Sequence, residues 1–159
     1  MDTAPSFEKA PIRTSVQTVL PEWIDYNGHM NVAYYTLAFD RAIDEVYEML
    51  RIGPTLVAQH NMGPMTLQSQ IHYLGELLEG ERFYVEMTLV DSDAKRTHAM
   101  CLMRKEADDA LAATYESLSV NVDLEARRSA PYPPDALARI EALRDAHAGI
   151  ARPPQMGAP

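Results

Sequence analysis

Disulfide bonds and positive charge are both scarce in this chain of 159 residues. The single cysteine, Cys101, excludes a disulfide within the chain, and the cysteine usage gives no indication of an oxidising compartment. Lys and Arg number 14 against 23 Asp and Glu, which gives a formal net charge of −9 at pH 7. A field of this sign repels nucleic acid and anionic lipid, so we expect no nucleic-acid partner.

Long apolar runs are missing as well. No segment approaches the roughly 20 apolar residues that cross a bilayer, and residues 1–11 have neither the basic start nor the apolar centre of a secretory signal peptide. The histidines of the central region lie on different predicted elements without the spacing of metal ligands; they are His60, His72 and His98. We therefore expect a cytoplasmic protein with no membrane partner, no metal and no cofactor.

Apolar residues make up 47% of the chain, which is enough for one domain with a substantial core. Residues 1–10 and 148–159 are interrupted by Pro and Gly and hold few core-forming side chains, so both ends are predicted to be flexible. The single domain is expected at residues 11–147, because no linker, repeat or low-complexity block interrupts it.

A long helix is predicted at residues 32–50. Apolar side chains recur there at spacings of three and four, whereas charged residues occupy the other faces. Asn31 is a suitable N-cap, and Gly53-Pro54 marks the end of the helix. The apolar stripe consists of Val32, Tyr35, Phe39, Ala42, Val46 and Met49.

Alternation of apolar and polar residues predicts strands in much of the remaining chain. The predicted strands are residues 12–20, 65–73, 82–89, 97–103 and 117–124, and a closing helix is predicted at 135–147. Short turns between successive strands imply antiparallel neighbours. One helix and one sheet with apolar faces can bury each other, so we predict an α+β fold with the sheet wrapped around the helix. The bare edges of a small sheet favour a homodimer that pairs side by side, and pairing of dimers into tetramers stays open.

The segment between the first strand and the long helix, residues 23–31, has the most unusual composition. It brings a carboxylate (Asp25), a carboxamide (Asn27) and an imidazole (His29) together just before a helix N-terminus. Backbone N–H groups and the helix dipole can polarise a carbonyl oxygen there, and a nearby carboxylate can activate water or attack directly. The same residue types also suit an ordinary capping loop, so composition alone leaves both interpretations open.

Several motifs resemble the hotdog-fold acyl thioesterases of the 4-hydroxybenzoyl-CoA thioesterase-like family, over about residues 16–134. The run Asp25-Tyr26-Asn27-Gly28-His29-Met30-Asn31 is similar to the Asp-x-Asn-x-His-Val-Asn pattern of plant acyl-carrier-protein thioesterases. Further agreement comes from Tyr73-x-x-Glu76-x-x-x-Gly80, Ala113-Thr114-Tyr115-Glu116, Val122-Asp123 and Pro131.

The resemblance implies a hotdog fold and hydrolysis of an acyl thioester without a cofactor. It also implies a catalytic group, which consists of Asp25, Asn27, His29 and Glu76. In that group Asp25 would be the general base or the nucleophile, and the helix N-terminus would polarise the thioester carbonyl. Glu76 could also be an ordinary carboxylate at the end of a strand.

A narrower resemblance links residues 21–30 and 93–98 to the thioesterases of bacterial carnitine breakdown, which act on betainyl-CoA. The chain departs from that group at Met30-Asn31-Val32, where polar residues are common. A trimethylammonium group donates no hydrogen bond, so aromatic faces would bind it; the candidates are Trp23, Tyr26, Tyr34, Tyr35 and Tyr73. The phosphates of coenzyme A need local positive charge; the candidates are Lys95, Arg96, Arg127 and Arg128.

Two other functions stay open on the sequence. A hotdog enoyl-CoA hydratase would use an Asp-x-Asn-x-x-His loop, but His29 follows Asn27 by only two residues. A non-catalytic hotdog domain that binds an acyl thioester is opposed by the joint presence of Asp25, Asn27 and His29. Coenzyme A and acyl carrier protein both stay open as the carrier. Cys101 is predicted to be a buried, inert thiol.

Overall fold

The computed structural model describes residues 6–157, which form one antiparallel sheet with three α-helices. The helices are α1 (Val32–Met49), α2 (Pro54–His60) and α3 (Pro134–His147), and a 3-10 helix covers Pro21–Trp23. The strands are β1 (Ile12–Arg13), β2 (Gln17–Thr18), β3 (Met62–Tyr73), β4 (Arg82–Ser92), β5 (Arg96–Lys105), β6 (Leu111–Asp123) and β7 (Arg128–Ser129). The order across the sheet is β1-β4-β5-β6-β3, with β2 also paired to β4 and β7 to β6. Within the described range, no helix is long and apolar enough to cross a membrane.

The long helix α1 lies against one face of the sheet, which we call the inner face; the opposite face is the outer face. Asn31 caps α1, because its Oδ1 accepts a hydrogen bond from the Ala33 amide at 3.0 Å. Phe39 of α1 stacks on Tyr115 of β6, with ring centroids 5.1 Å apart, inside a single core cluster. The predicted α+β hotdog arrangement of a sheet around a long helix is confirmed. The two ends of the predicted apolar stripe, Val32 and Met49, are exceptions and stay 55% and 50% exposed.

The predicted strand at residues 12–20 is wrong as a continuous element. β1 and β2 are two residues each, and the chain leaves the sheet between them. The amide and the hydroxyl of Ser15 donate to the Glu45 carboxylate of α1, at 3.1 and 3.0 Å. A side chain of the helix therefore competes with the sheet for the backbone at this point.

Other elements differ from the prediction at their boundaries. α1 ends at Met49, just ahead of Gly53-Pro54, and Arg51 takes the left-handed conformation there with a φ of 55°. Pro54 opens α2, because proline suits the first position of a helix. β6 begins at Leu111 rather than at residue 117. In β3 the register shifts between Thr66 and Gln68, and this bulge interrupts the alternation that the sequence shows.

The two edge strands of the sheet differ in how much of their outward backbone is paired. Neighbours fill the edge of β4 along its length; they are β2 at Phe83, the Thr14 amide at Val85, β1 at Met87 and the His147 ring at Leu89. On β3, no described residue pairs on the side away from β6. Pro64 lies within β3, which fits an edge strand because proline cannot donate to a ladder. The long open edge of the described sheet is therefore β3.

Residues 148–157 leave α3 and cross the outer face of the sheet. The Gly157 amide donates to Glu116 Oε1 of β6 at 2.7 Å, and His98 Nε2 lies 2.6 Å from the other carboxylate oxygen. Met156 lies with Met100 and Leu102 of β5 around one small cavity. The flexibility predicted for residues 1–10 and 148–159 stays a prediction, and residues 1–5 and 158–159 lie outside the described part of the chain.

The position of His147 predicts that the free energy of unfolding depends on pH. Its ring is 3% exposed, and Nδ1 accepts the Leu89 amide at 2.9 Å, so the ring is neutral at that nitrogen. Burial lowers the pKa of His147 from its ordinary 6.5, opposed by the nearby Ala10 carbonyl. Because the folded pKa lies below the unfolded one, the fold favours the neutral ring. This contribution is complete above about pH 6.5 and is lost as the pH falls below it.

Thermal melting at pH 7.5 and pH 5.5 tests this prediction. We expect the wild-type Tm to fall further on acidification than that of His147→Asn, which keeps an acceptor near Nδ1 but cannot gain a proton. Equal falls in the two proteins would contradict it, since the other histidines are present in both.

Candidate active site

The loop that precedes α1 is a tight turn closed by its own backbone. The Asp25 amide donates to the His29 carbonyl at 3.1 Å, and the Gly28 amide donates to the Asp25 carbonyl at 3.0 Å. Ile24 and Met30 form a bridge at its base. Gly28 has a φ of 80°, a conformation that glycine adopts at little cost. The turn therefore presents the Asp25 side chain at a fixed place before the helix.

The carboxylate of Asp25 is held by hydrogen bonds to both of its oxygens. Oδ1 accepts the Asn27 amide at 2.8 Å, and Oδ2 accepts Nδ2 of Asn31 at 3.2 Å. Asn31 at the same time caps α1 through its Oδ1. One side chain thus connects the carboxylate to the helix N-terminus. From the sequence, Asn31 is predicted only as a cap, because spacing does not show which group its Nδ2 contacts.

The first amide of α1 is free to bind a substrate oxygen. Among residues 6–157, the Val32 N–H has no acceptor, whereas the next two amides are bound by Asn31. An exposed amide at the positive end of an 18-residue helix is a suitable donor for a developing oxyanion. The sequence analysis predicts the helix N-terminus in this role but does not identify the residue.

The other predicted catalytic residues lie around the same loop. His29 is half-buried, and its Nδ1 lies 3.1 Å from the Met30 carbonyl, so the ring turns back on its own loop. Glu76 is exposed on the segment between β3 and β4. The Met30 amide donates to the carbonyl of Leu77 at 2.7 Å, which attaches that segment to the loop. The fold therefore brings Asp25, Asn27, His29 and the Glu76 segment together.

The aromatic candidates divide into buried and exposed rings. Trp23 is 4% exposed and stacks on Tyr34 with centroids 5.4 Å apart, while the Arg41 guanidinium lies 5.7 Å from its ring centre. Tyr35 is buried and meets Tyr73 edge to face at 5.2 Å. Exposed ring surface comes from Tyr73 and from Tyr26, which is 96% exposed.

The basic candidates lie at the opposite end of the sheet from the loop. Lys95 lies in the turn between β4 and β5, and Arg96 is the first residue of β5. Arg127 lies in the turn after β6, and Arg128 is the first residue of β7. Lys95 Nζ contacts Ser129 Oγ at 3.2 Å, which joins the two turns. The Asp25 loop instead lies near the far ends of β3 and β6, because its Met30 amide donates to Leu77 and the Gly75 amide of the same segment donates to the Ala112 carbonyl of β6. Within one chain, the basic residues and Asp25 are not brought together.

Cys101 is a core residue that lies outside this loop. Cys101 is fully buried, and burial raises the pKa of its thiol to about 12, as expected for an inert core residue. No group of three or more His, Cys, Asp or Glu in the described range could hold a metal ion.

Comparison with known proteins agrees with this geometry. A family model described as the thioesterase-like superfamily matches residues 19–140. A betainyl-CoA thioesterase of Pseudomonas aeruginosa is 33% identical over 147 residues, 92% of each chain. A Rhizobium meliloti protein named L-carnitine dehydrogenase/betainyl-CoA thioesterase is 30% identical over 92% of this chain, which spans 29% of that longer protein. A Staphylococcus aureus protein solved in complex with CoA superposes with a TM-score of 0.88 and 28% identity, covering 98% of this chain and 97% of that one.

The family match covers most of the domain, from just after β2 into α3, and includes every residue around Asp25 described above. The fold, the carboxylate at the helix N-terminus and these matches lead to one conclusion: the chain belongs to the thioesterase-like superfamily.

Proposed function

We propose that the protein hydrolyses an acyl-CoA thioester at the Asp25 loop. The observation that carries the proposal is the carboxylate of Asp25, oriented by Asn27 and Asn31, next to a helix whose first amide has no acceptor among the described residues. A base or nucleophile and an oxyanion donor are the two groups that acyl transfer requires.

In the general-base route, Asp25 takes a proton from water while the water oxygen attacks the carbonyl carbon. The carbonyl oxygen becomes an oxyanion that accepts the Val32 N–H. Collapse of the intermediate breaks the C–S bond and releases a thiolate, which then takes a proton. Because an ordinary thiol has a pKa of about 8.5, it leaves without a strong general acid. In the nucleophilic route, Asp25 attacks the carbon and the C–S bond breaks to release the thiolate, which takes a proton. Water then hydrolyses the resulting mixed anhydride to the free acid and the Asp25 carboxylate.

The substrate that we propose is betainyl-CoA, whose acyl group ends in a trimethylammonium. Two relatives, 33% and 30% identical to this chain, carry that substrate in their names. Near the loop the chain offers exposed rings at Tyr26 and Tyr73 and exposed carboxylates at Glu76 and Glu79. Aromatic faces and carboxylates attract a cation that cannot donate a hydrogen bond.

Thiol release from a panel of acyl-CoAs tests the proposed function and the substrate together. We expect kcat/KM for betainyl-CoA to exceed that for the near-isosteric, neutral 3,3-dimethylbutyryl-CoA by about tenfold, the scale of one or two cation–π contacts. Tyr73→Leu should reduce this preference more than it reduces the rate with the neutral substrate. Equal values for the two substrates would contradict a cationic pocket. Absence of thiol release from every acyl-CoA would overturn the hydrolase and favour the hydratase or the binding domain.

The enzyme is proposed to be a homodimer in which two β3 strands pair antiparallel. β3 is the open edge of the described sheet, and Met65 and Leu67 on it are more than half exposed. An open edge of 12 residues is a template for a second copy, whereas the filled edge of β4 is not. The pairing extends one sheet across both chains.

This pairing also brings the basic residues of one chain close to the Asp25 loop of the other chain. β3 and β6 are long strands, so their two ends lie about 35–40 Å apart at roughly 3.3 Å per residue. Antiparallel pairing about a two-fold axis brings the start of one β3 to the end of the other. The basic turns of one chain, with Lys95 and Arg128, then approach the Asp25 loop of its partner. Clustered cations suit the phosphates of coenzyme A. We therefore propose coenzyme A as the carrier of the acyl group. A cytoplasmic location stays a prediction.

A further inference from the structure

We infer that Tyr35 is a positioning residue that holds Glu76 at the catalytic loop, rather than a residue that contacts the acyl group. The inference rests on the proposed function of the loop. It is carried by the hydrogen bond from the Tyr35 hydroxyl to the Gly75 carbonyl, at 3.2 Å, directly before Glu76.

The ring of Tyr35 is out of reach of a substrate. Its side chain is 3% exposed and lies in the core on the first turn of α1. The edge of Tyr73 covers the ring on the side of the sheet. The hydroxyl alone extends to the segment between β3 and β4.

The backbone around Glu76 is attached to three different elements. The Leu74 and Gly75 amides donate to the Ala112 carbonyl of β6 at 2.9 and 3.0 Å. The carbonyl of Leu77 accepts the Met30 amide of the catalytic loop, and the Leu77 side chain is fully buried. Tyr35 supplies the attachment to α1. The short segment is thus fixed to the sheet, the loop and the helix.

The side chain of Glu76, in contrast, is not engaged. Among residues 6–157 its carboxylate makes no hydrogen bond or ion pair, and the side chain is exposed. Burial raises the pKa of Tyr35, partly opposed by the Leu77 amide, and the charge of Glu76 raises it further, which places that carboxylate near the hydroxyl. A free carboxylate on a fixed backbone that is attached to the Asp25 loop through Leu77 suits a group that orients water or substrate in the reaction.

Tyr35→Phe tests the inference, because it keeps the ring and the contact with Tyr73 but removes the hydroxyl. We expect kcat to fall about five- to tenfold with KM changed less than twofold, the scale of one lost hydrogen bond. In a Glu76→Gln background, the same substitution should have little further effect, because its role is exerted through Glu76.

Tyr47→Phe is the matched control. Tyr47 is another buried tyrosine of α1, and its hydroxyl donates to Ser119 Oγ at 3.1 Å, three turns from the loop. Tyr47→Phe should lower the Tm and leave kcat unchanged. Equal kcat values for Tyr35→Phe and the wild type, a full effect of Tyr35→Phe in the Glu76→Gln background, or wild-type kcat for Glu76→Gln would each overturn the inference. Wild-type protein that releases no thiol would instead overturn the proposed function itself.

Discussion

Asp25→Asn is expected to lower kcat by about 10²-fold or more, the scale of a lost general base or nucleophile. The substitution keeps the shape of the side chain and keeps an oxygen that can accept the Asn27 amide, but it removes the charge. Both proposed routes need the ionised carboxylate, so they predict the same loss. Single-turnover measurement of thiol release, with enzyme in saturating excess over substrate, gives the change in the chemical step.

Asp108→Asn provides a control with the same local geometry. Asp108 Oδ1 accepts the amide two residues ahead, that of Ala110, at 3.0 Å, as Asp25 does with Asn27. It lies in the turn between β5 and β6, where the structure gives it no catalytic partner. We expect wild-type kcat from this variant. If Asp25→Asn also kept its activity, Asp25 would have no part in the mechanism.

The second large effect concerns which chain supplies the basic residues. Lys95→Ala/Arg128→Ala should raise KM by about tenfold or more, because two cations are lost from the phosphate site. In a heterodimer of this variant with Asp25→Asn, one of the two sites combines the intact Asp25 of one chain with the intact basic turns of the other. We expect about half of the wild-type rate at low substrate concentration. The heterodimer is isolated by coexpression with two different tags.

A rearrangement of the same substitutions gives the control. A chain with Asp25→Asn, Lys95→Ala and Arg128→Ala, paired with a wild-type chain, has no intact site if the basic residues act across the interface. If they act within one chain, it has one intact site and the first heterodimer has none. The order of the two rates therefore decides the question. Light scattering should show two 17.8 kDa chains in each preparation, and a mass of one chain would contradict the dimer.

The local pattern of the sequence is sufficient to predict the elements that depend on neighbouring residues. The helix over residues 32–50 and its cap at Asn31 follow from spacing and from one side chain. The prediction of one strand over residues 12–20 is wrong, because the Glu45 carboxylate, 30 positions from Ser15, takes the Ser15 amide out of the sheet. No local pattern contains that contact, so alternation over-predicts the strand.

Prediction of the site is limited in the same way, by contacts between residues that are distant in sequence. Asp25, Asn27 and His29 are adjacent in sequence, and one turn keeps them together. Trp23 is chosen as a binding residue for its ring, but in the structure the residue is buried and contacts Tyr34 and Arg41, which are both on α1. The basic residues lie at the opposite end of β6 from the Asp25 loop. Composition does not predict this separation, because it does not give the distance between the two ends of a strand.

The closed edge of β4 has a consequence for how this domain can be joined to other proteins. β1 pairs with the middle of β4, on the side away from β3, whereas residues 148–157 cross the outer face after α3 and end at Glu116 of β6, beside Gln68–Gln70 of β3. A domain or tag attached ahead of β1 is thus kept clear of the edge that we propose for dimerisation, whereas one attached after residue 157 starts close to that edge. The Rhizobium meliloti relative, of which this chain spans 29%, carries a dehydrogenase name alongside the thioesterase name. Tethering a second enzyme on the β4 side is compatible with an unobstructed pair of β3 strands, and artificial fusions can follow the same geometry.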